Sequence, residues 1–234
     1  MSGEGSYGGT DNLEVMAEAK RYNRFLVSLV TKNLSRNGRC LDFGAGIGTF
    51  ATEVSARGFE VDALDAEPVH QEEIRARGLT SVADLDDVPG GSYAGVYSLN
   101  VLEHIEQDEQ ILDEFLRILE PGGKAVIYVP AMSWLFTSMD VKVGHVRRYH
   151  LRELVRKMGS AGFVVNRASY ADSLGVLATL AYKAVGSRDG SLDTRGVRAY
   201  DTVGFPVSKA LDTVFGQLVG KNVWAVGTKP ARPQ

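Results

Sequence analysis

Apolar positions along the chain fall into two spacings that alternate. From Asn12 to about Leu34, the residues Leu13, Met16, Tyr22, Phe25, Leu26, Leu29 and Val30 recur at helical intervals and predict an N-terminal helix. Short apolar runs follow at Arg39 to Phe43, Glu60 to Asp65, Thr80 to Ala83, Ala94 to Leu99 and Lys124 to Val129, which read as strands one to five. Helical stretches lie between them, from Thr49 to Arg57, from Pro68 to Arg77, and after Ile105 as far as Leu119. Strands that alternate with helices through short polar loops demand a parallel sheet with helices on both faces.

Past strand five come a loop, a helix from His150 to Ala161 and a strand from Phe163 to Tyr170. The next strand-like run is Asn222 to Gly227. Roughly fifty residues intervene, well beyond the usual loop length, so an insertion at about 171–221 should hold elements of its own. Ser173 to Val185 and Pro206 to Val219 are its helical candidates, parted by the polar stretch Gly186 to Gly196. No internal repeat is visible. Residues 1–11, rich in glycine, are expected to form a flexible tail, and 12–234 a single domain.

Composition narrows the class without changing the layout. A hydrophobic content of 44% over 234 residues suffices for a substantial core. The net charge of −3 argues against a nucleic-acid partner. One cysteine, Cys40, excludes an internal disulfide and, inside strand one, is expected to be buried. No signal-peptide pattern opens the chain and no apolar run spans a bilayer, so a cytoplasmic location without a membrane span is expected.

Chemistry enters where strand one ends, at Asp42-Phe43-Gly44-Ala45-Gly46-Ile47-Gly48. Glycines at alternate positions between a strand and a helix let the backbone turn tightly and come close to a ligand. Asp65 ends the next strand about 20 residues after the first glycine, where a doubly wound sheet positions the carboxylate that grips a ribose. A nucleoside-bearing cofactor follows. The third glycine comes one residue early for a dinucleotide site, with Thr49 in its stead, and the chain has no Tyr-x-x-x-Lys pair, so a nicotinamide-dependent oxidoreductase is the weaker reading.

The Asp-x-Gly-x-Gly-x-Gly pattern resembles motif I of the class I S-adenosylmethionine-dependent methyltransferases. Asp84-Leu85, Leu102-Glu103-His104 and Leu119-Glu120-Pro121-Gly122-Gly123 follow in the order found in the ubiquinone-biosynthesis type of small-molecule methyltransferase, a likeness covering roughly Ala17 to Phe163. It implies a Rossmann-like, seven-stranded, mostly parallel sheet with an antiparallel last strand. It further implies that S-adenosyl-L-methionine is the cofactor and S-adenosyl-L-homocysteine the product. On this resemblance Gly44, Ala45 and Gly46 line the amino-acid side of the cofactor, Asp42 supports its ammonium end, and Asp65 with Ala66 takes the ribose. Asp84 and Leu85 border the adenine, while Asn100 and an aromatic residue of the N-terminal helix, Tyr22, complete the cofactor set. Tyr22 could equally serve the core. Strand four departs from the family, opening with Tyr93-Ala94, and Ser98-Leu99-Asn100 replaces the Asn-Pro-Pro-Tyr quartet of amino-methylating enzymes.

Transfer from a sulfonium needs positioning and, for a hydroxyl acceptor, removal of a proton. Two histidines suit that role: His145, in the Gly144-His145-Val146-Arg147-Arg148-Tyr149 segment after strand five, and His104 at the end of strand four. His145 is preferred. Trp134, Arg147, Arg148 and Tyr149 are the expected acceptor contacts, the arginines suiting an anionic group and the insertion an apolar one. His70 and His150 stand at helix starts and are expected to be solvated, as is the basic face of Arg148, Arg152 and Arg156 with Lys157 beside it. Glu103, His104 and Asp108 could approach one another on a helix, yet they form no closed ligand set, and no metal is expected. The resemblance implies a methyltransferase acting on a small molecule, with oxygen the expected target atom and a homodimer through the insertion left open. A non-catalytic adenosylmethionine-binding scaffold is the alternative.

Overall fold

The computed structural model describes residues 18–185 and 194–231. The expected tail, the opening of the N-terminal helix and most of the polar stretch within the insertion lie outside the described residues. Helix α1 (Lys20–Asn33) buries Leu26, Val27, Leu29 and Val30. The core then alternates: β1 (Arg39–Phe43), α2 (Thr49–Ser55), β2 (Glu60–Leu64), α3 (Pro68–Ala76), β3 (Thr80–Val82) and β4 (Tyr93–Leu99). A 3-10 turn at Leu102–His104 leads to α4 (Asp108–Ile118) and β5 (Leu119–Pro130), followed by α5 (Ser138–Lys142), α6 (Leu151–Ser160) and β6 (Val164–Ala171). The insertion comprises α7 (Ser173–Val185), α8 (Thr194–Ala199), a π turn (Tyr200–Gly204) and α9 (Phe205–Phe215), before β7 (Asn222–Thr228) closes the sheet.

The seven strands run in the order β3-β2-β1-β4-β5-β7-β6. Only β7 is antiparallel to its neighbours. Alternate side chains of each strand point to opposite faces, and each face has its own apolar cluster. Leu41, Val96 and Ile127 pack with Leu112 and Phe115 of α4 and Leu154 of α6. Cys40, Tyr97 and Val126 pack on the other face with α1, α2 and α3, through Leu26, Val54 and Ile74. Removing one of these side chains, as in Ile127→Ala, would cost about 2–5 kcal/mol.

Strand five is longer than its apolar run. Its first residue, Leu119, pairs with Tyr93, and the register then shifts across the Pro-Gly-Gly stretch before Gly95 meets Lys124. The carboxyl ends of β1, β4, β5 and β6 share one edge, and the backbone bends sharply there. Asn100 follows β4, Met132 follows β5 and Asp172 follows β6, with φ of 57°, 62° and 61°, a left-handed conformation that side-chain-bearing residues seldom adopt. Strain of this kind collects at functional edges.

Candidate active site

The glycine loop opens directly from β1 at that edge. Gly44 and Ala45 both donate their amides to the Leu64 carbonyl at 2.9 Å, lashing the loop to the end of β2. A Cβ on Gly44 would lie 2.4 Å from a methyl of Val101, so the loop packs against the chain leaving β4 without room for a side chain. Gly46 differs. Its φ is 54° and a Cβ there would meet no atom within 4 Å, so the space before it is open for a ligand. Its amide donates to Asp65 Oδ2 at 2.7 Å, which couples the loop to the carboxylate expected at the ribose.

Asp65 is more committed than its sequence position suggests. Its Oδ1 accepts the Glu67 amide at 3.0 Å and lies 2.9 Å from His70 Nδ1. His70, expected to be solvated, is thus part of the loop's support. Ala66 is exposed beside it, Leu85 is buried, and exposed Asp84 accepts the Asp86 amide at 3.1 Å, forming the turn after β3. Asp42 is buried under the loop, its Oδ2 without a hydrogen-bond partner. Burial pushes its carboxyl up to about 7 against the weaker pull of the Tyr97 hydroxyl and the Ala51 amide. Tyr22 is half-buried, its ring edge-on to Tyr128 and Phe205 with centroids 6.2 and 5.6 Å away. Burial raises its phenol to about 12, offset in part by Tyr128 and Asn100. It therefore joins the aromatic packing and neighbours Asn100 at the same time.

Beyond Val101 stands a charged cluster. Thr137 and Asp140 form a capping box at the start of α5, with the Thr137 amide and hydroxyl on Asp140 Oδ2 at 2.8 and 2.9 Å. Arg148 grips the same carboxylate from the other side, Nε to Oδ1 and Nη2 to Oδ2, both at 2.9 Å. Burial alone would raise Asp140, but the His145 ring and the Arg148 guanidinium outweigh it and hold the carboxyl well below the usual range. An ionised Asp140 only accepts, so the 2.8 Å contact from His145 Nδ1 is an N–H donation. The other ring nitrogen, Nε2, lies 3.7 Å from Glu103 Oε1. Glu103 is fully buried with both oxygens lacking hydrogen-bond partners, and burial pushes it up to about 8. The His104 ring meets that of His145 edge-on with centroids 4.7 Å apart, and burial, then the His145 charge, lowers its pKa to about 4.

The expected acceptor contacts divide. Trp134 is 47% exposed. Arg147 pairs with Asp108 Oδ1 at 3.0 Å and donates to the Glu106 carbonyl. Arg148 and Tyr149 point inward instead of toward an acceptor. The first spends its guanidinium on Asp140 and the Ala131 carbonyl, and the second donates its hydroxyl to Asp108 at 2.7 Å. Lys157 is likewise interior, 2.7 Å from both Asp108 oxygens, because α6 must close over the start of α4. Arg152 and Arg156 of the basic row are exposed as expected, while Arg148 and Lys157 turn inward to acids, Asp140 and Asp108, that helical spacing alone does not reveal. Asp140 escaped the sequence reading, although Thr137-x-x-Asp140 is a legible capping signal.

A family profile described as "Methyltransferase domain" matches residues 16–168. A ubiquinone biosynthesis O-methyltransferase of Xanthomonas oryzae pv. oryzae is 32% identical over 37% of this chain and 40% of its own length. A probable S-adenosylmethionine-dependent methyltransferase of Mycolicibacterium smegmatis is 28% identical over 58% of this chain and 54% of its own. The chain thus spans about half or less of the length of these curated relatives. Among solved structures, an S-adenosylmethionine-dependent methyltransferase of Thermotoga maritima superposes with a TM-score of 0.65 at 15% identity, covering 93% of this chain and 94% of that one. With the glycine loop, strand order and family profile in agreement, the chain belongs to the methyltransferase-domain family.

Proposed function

We propose that the protein methylates a hydroxyl oxygen of a small molecule at the carboxyl edge of the sheet, using S-adenosylmethionine. The cofactor supplies an electrophilic methyl group on a positively charged sulfur, so the chain's own residues have to bind, orient and manage a proton. Gly44, Ala45 and Gly46 would receive the amino-acid end, with Asp42 beneath them. Asp65 and Ala66 would receive the ribose, Asp84 and Leu85 the adenine, and Tyr22 with Asn100 would close the near side.

The observation that supports the oxygen reading is the Arg148–Asp140–His145 chain, which holds the imidazole by Nδ1, so that in the neutral ring Nε2 would be the acceptor nitrogen. A hydroxyl nucleophile gains from such a group, whereas an amine or thiolate gains much less. His145 takes the proton or orients the hydroxyl, and His104 packs against it. Arg148 reaches the acceptor only through Asp140. Trp134 and Arg147 remain the side chains for direct contact, the latter suiting an anionic group. The X. oryzae relative, an O-methyltransferase by its name, supports oxygen as the target.

An acceptor screen reading adenosylhomocysteine release, over phenols, aliphatic alcohols, amines and thiols, tests this reading. Turnover on hydroxyl compounds supports it. Turnover confined to amines or thiols overturns the oxygen assignment, and silence across the panel with intact cofactor binding favours the scaffold alternative.

Among the described residues no helix is long and apolar enough to cross a membrane. Leu177, Val203, Val207 and Val214 of the insertion leave an apolar outer surface, which supports a lid or dimer contact. Light scattering of the wild type and Leu177→Asp checks the dimer.

A further inference from the structure

We propose that Glu103, His104 and His145 form a binding site for one divalent transition-metal ion. Along the chain Glu103 and His104 are neighbours on the turn after β4, and His145 reaches them only through the fold, from the segment between α5 and α6. One ligand atom from each of the three lies within 4.8 Å of the others. An ion would draw them together modestly to reach nitrogen and oxygen distances of roughly 2.0–2.2 Å.

Three further features point to a ligand. Glu103 is fully buried, and neither carboxylate oxygen has a hydrogen-bond partner. A buried polar pair left so is costly unless something else satisfies it. The outer partners are also in position: Asp140, clamped by Arg148, holds His145 by Nδ1 so that Nε2 faces Glu103, and His104 is tied to the Gly144 backbone. Metal-ligating imidazoles are held by their second nitrogen in this way. Finally, the site is next to the cofactor loop, because Val101, which opens the turn, packs on Gly44.

Two imidazoles and one carboxylate suit a borderline ion such as zinc, iron(II) or manganese(II), with coordination positions left for an outside oxygen. This deepens the reading of the site as one for a hydroxyl acceptor and rests on it for the ion's use. A hydroxyl held by the ion would be more acidic, and His145, as a ligand, would serve that hydroxyl by orienting it.

The test reads metal and not methyl transfer, so it stands apart from the acceptor screen. Protein freed of metal with a chelator is titrated with zinc chloride by calorimetry, in parallel with Glu103→Gln and His104→Ala. One equivalent should bind, at least about 10-fold more weakly in each variant. A second readout needs no variant: zinc should shift the imidazole nitrogen resonances of His104 and His145 and leave those of His70 and His150 in place. Absence of a stoichiometric site, equal affinity in folded variants, or shifts confined to His70 and His150 would each overturn the proposal.

Discussion

His145 is held by two successive contacts that no single residue announces, from Arg148 to Asp140 and from Asp140 to the ring. Its replacement separates chemistry from cofactor binding. His145→Ala should lower turnover on a hydroxyl acceptor by about 100-fold or more while adenosylhomocysteine affinity stays within error. Parent-rate turnover across pH 6 to 9 would remove His145 from the chemistry. Asp42 gives a second test at this scale. Its carboxyl titrates near 3.9 in an unfolded chain and is raised to about 7 in the fold by burial. The folded state therefore keeps a proton that the unfolded chain releases, so this contribution to stability is complete below about pH 4 and is lost as pH rises through 7. Asp42→Asn removes the titration. Between pH 5 and pH 8 the ligand-free variant should gain on the wild type in urea unfolding, whereas a constant difference would refute the buried, protonated state. His145 and His104 were legible as candidates from their neighbours in sequence. Asp140 and the burial of Glu103 were not, because both depend on α5 folding back against the turn after β4.

Element boundaries followed the apolar runs closely in two elements. β1 starts and ends where its apolar run does, and α7 occupies the whole of the expected Ser173–Val185 stretch. Misses occur where tertiary contacts take over from local pattern. β5 begins at Leu119 because a Tyr93 pairing lies ahead of the glycines, and α9 stops at Phe215 because Gly216 lies against Ser169 and Tyr170 of β6. The start of α1 has a long-range cap as well. Its N-cap residue, Ala19, offers no side-chain acceptor, and Asp201 of the insertion takes the Arg21 and Tyr22 amides at 2.9 Å instead. Asp201→Ala should cost about 1 kcal/mol, or roughly 2–4 °C in melting temperature for a domain of this size. An unchanged melting temperature would show that the insertion does not anchor α1.

For the molecule as a whole, the sheet order brings the glycine loop, the turn after β4, the segment after β5 and the start of the insertion to one edge. The glycine loop was readable because a tight turn packed as closely as Gly44 on Val101 requires specific backbone geometry at fixed spacing. The acceptor side was less so, since arginines and tyrosines in a loop have the same appearance in sequence whether they face a ligand or, like Arg148 and Tyr149, the interior. On the proposed function, the open space before Gly46 receives the cofactor. Titration calorimetry of adenosylhomocysteine into wild type and Gly46→Val tests it most directly, with circular dichroism to confirm that both are folded. The wild type should bind one equivalent and the folded variant none measurable. A wild type that fails to bind, or a folded Gly46→Val protein with undiminished affinity, would contradict the account.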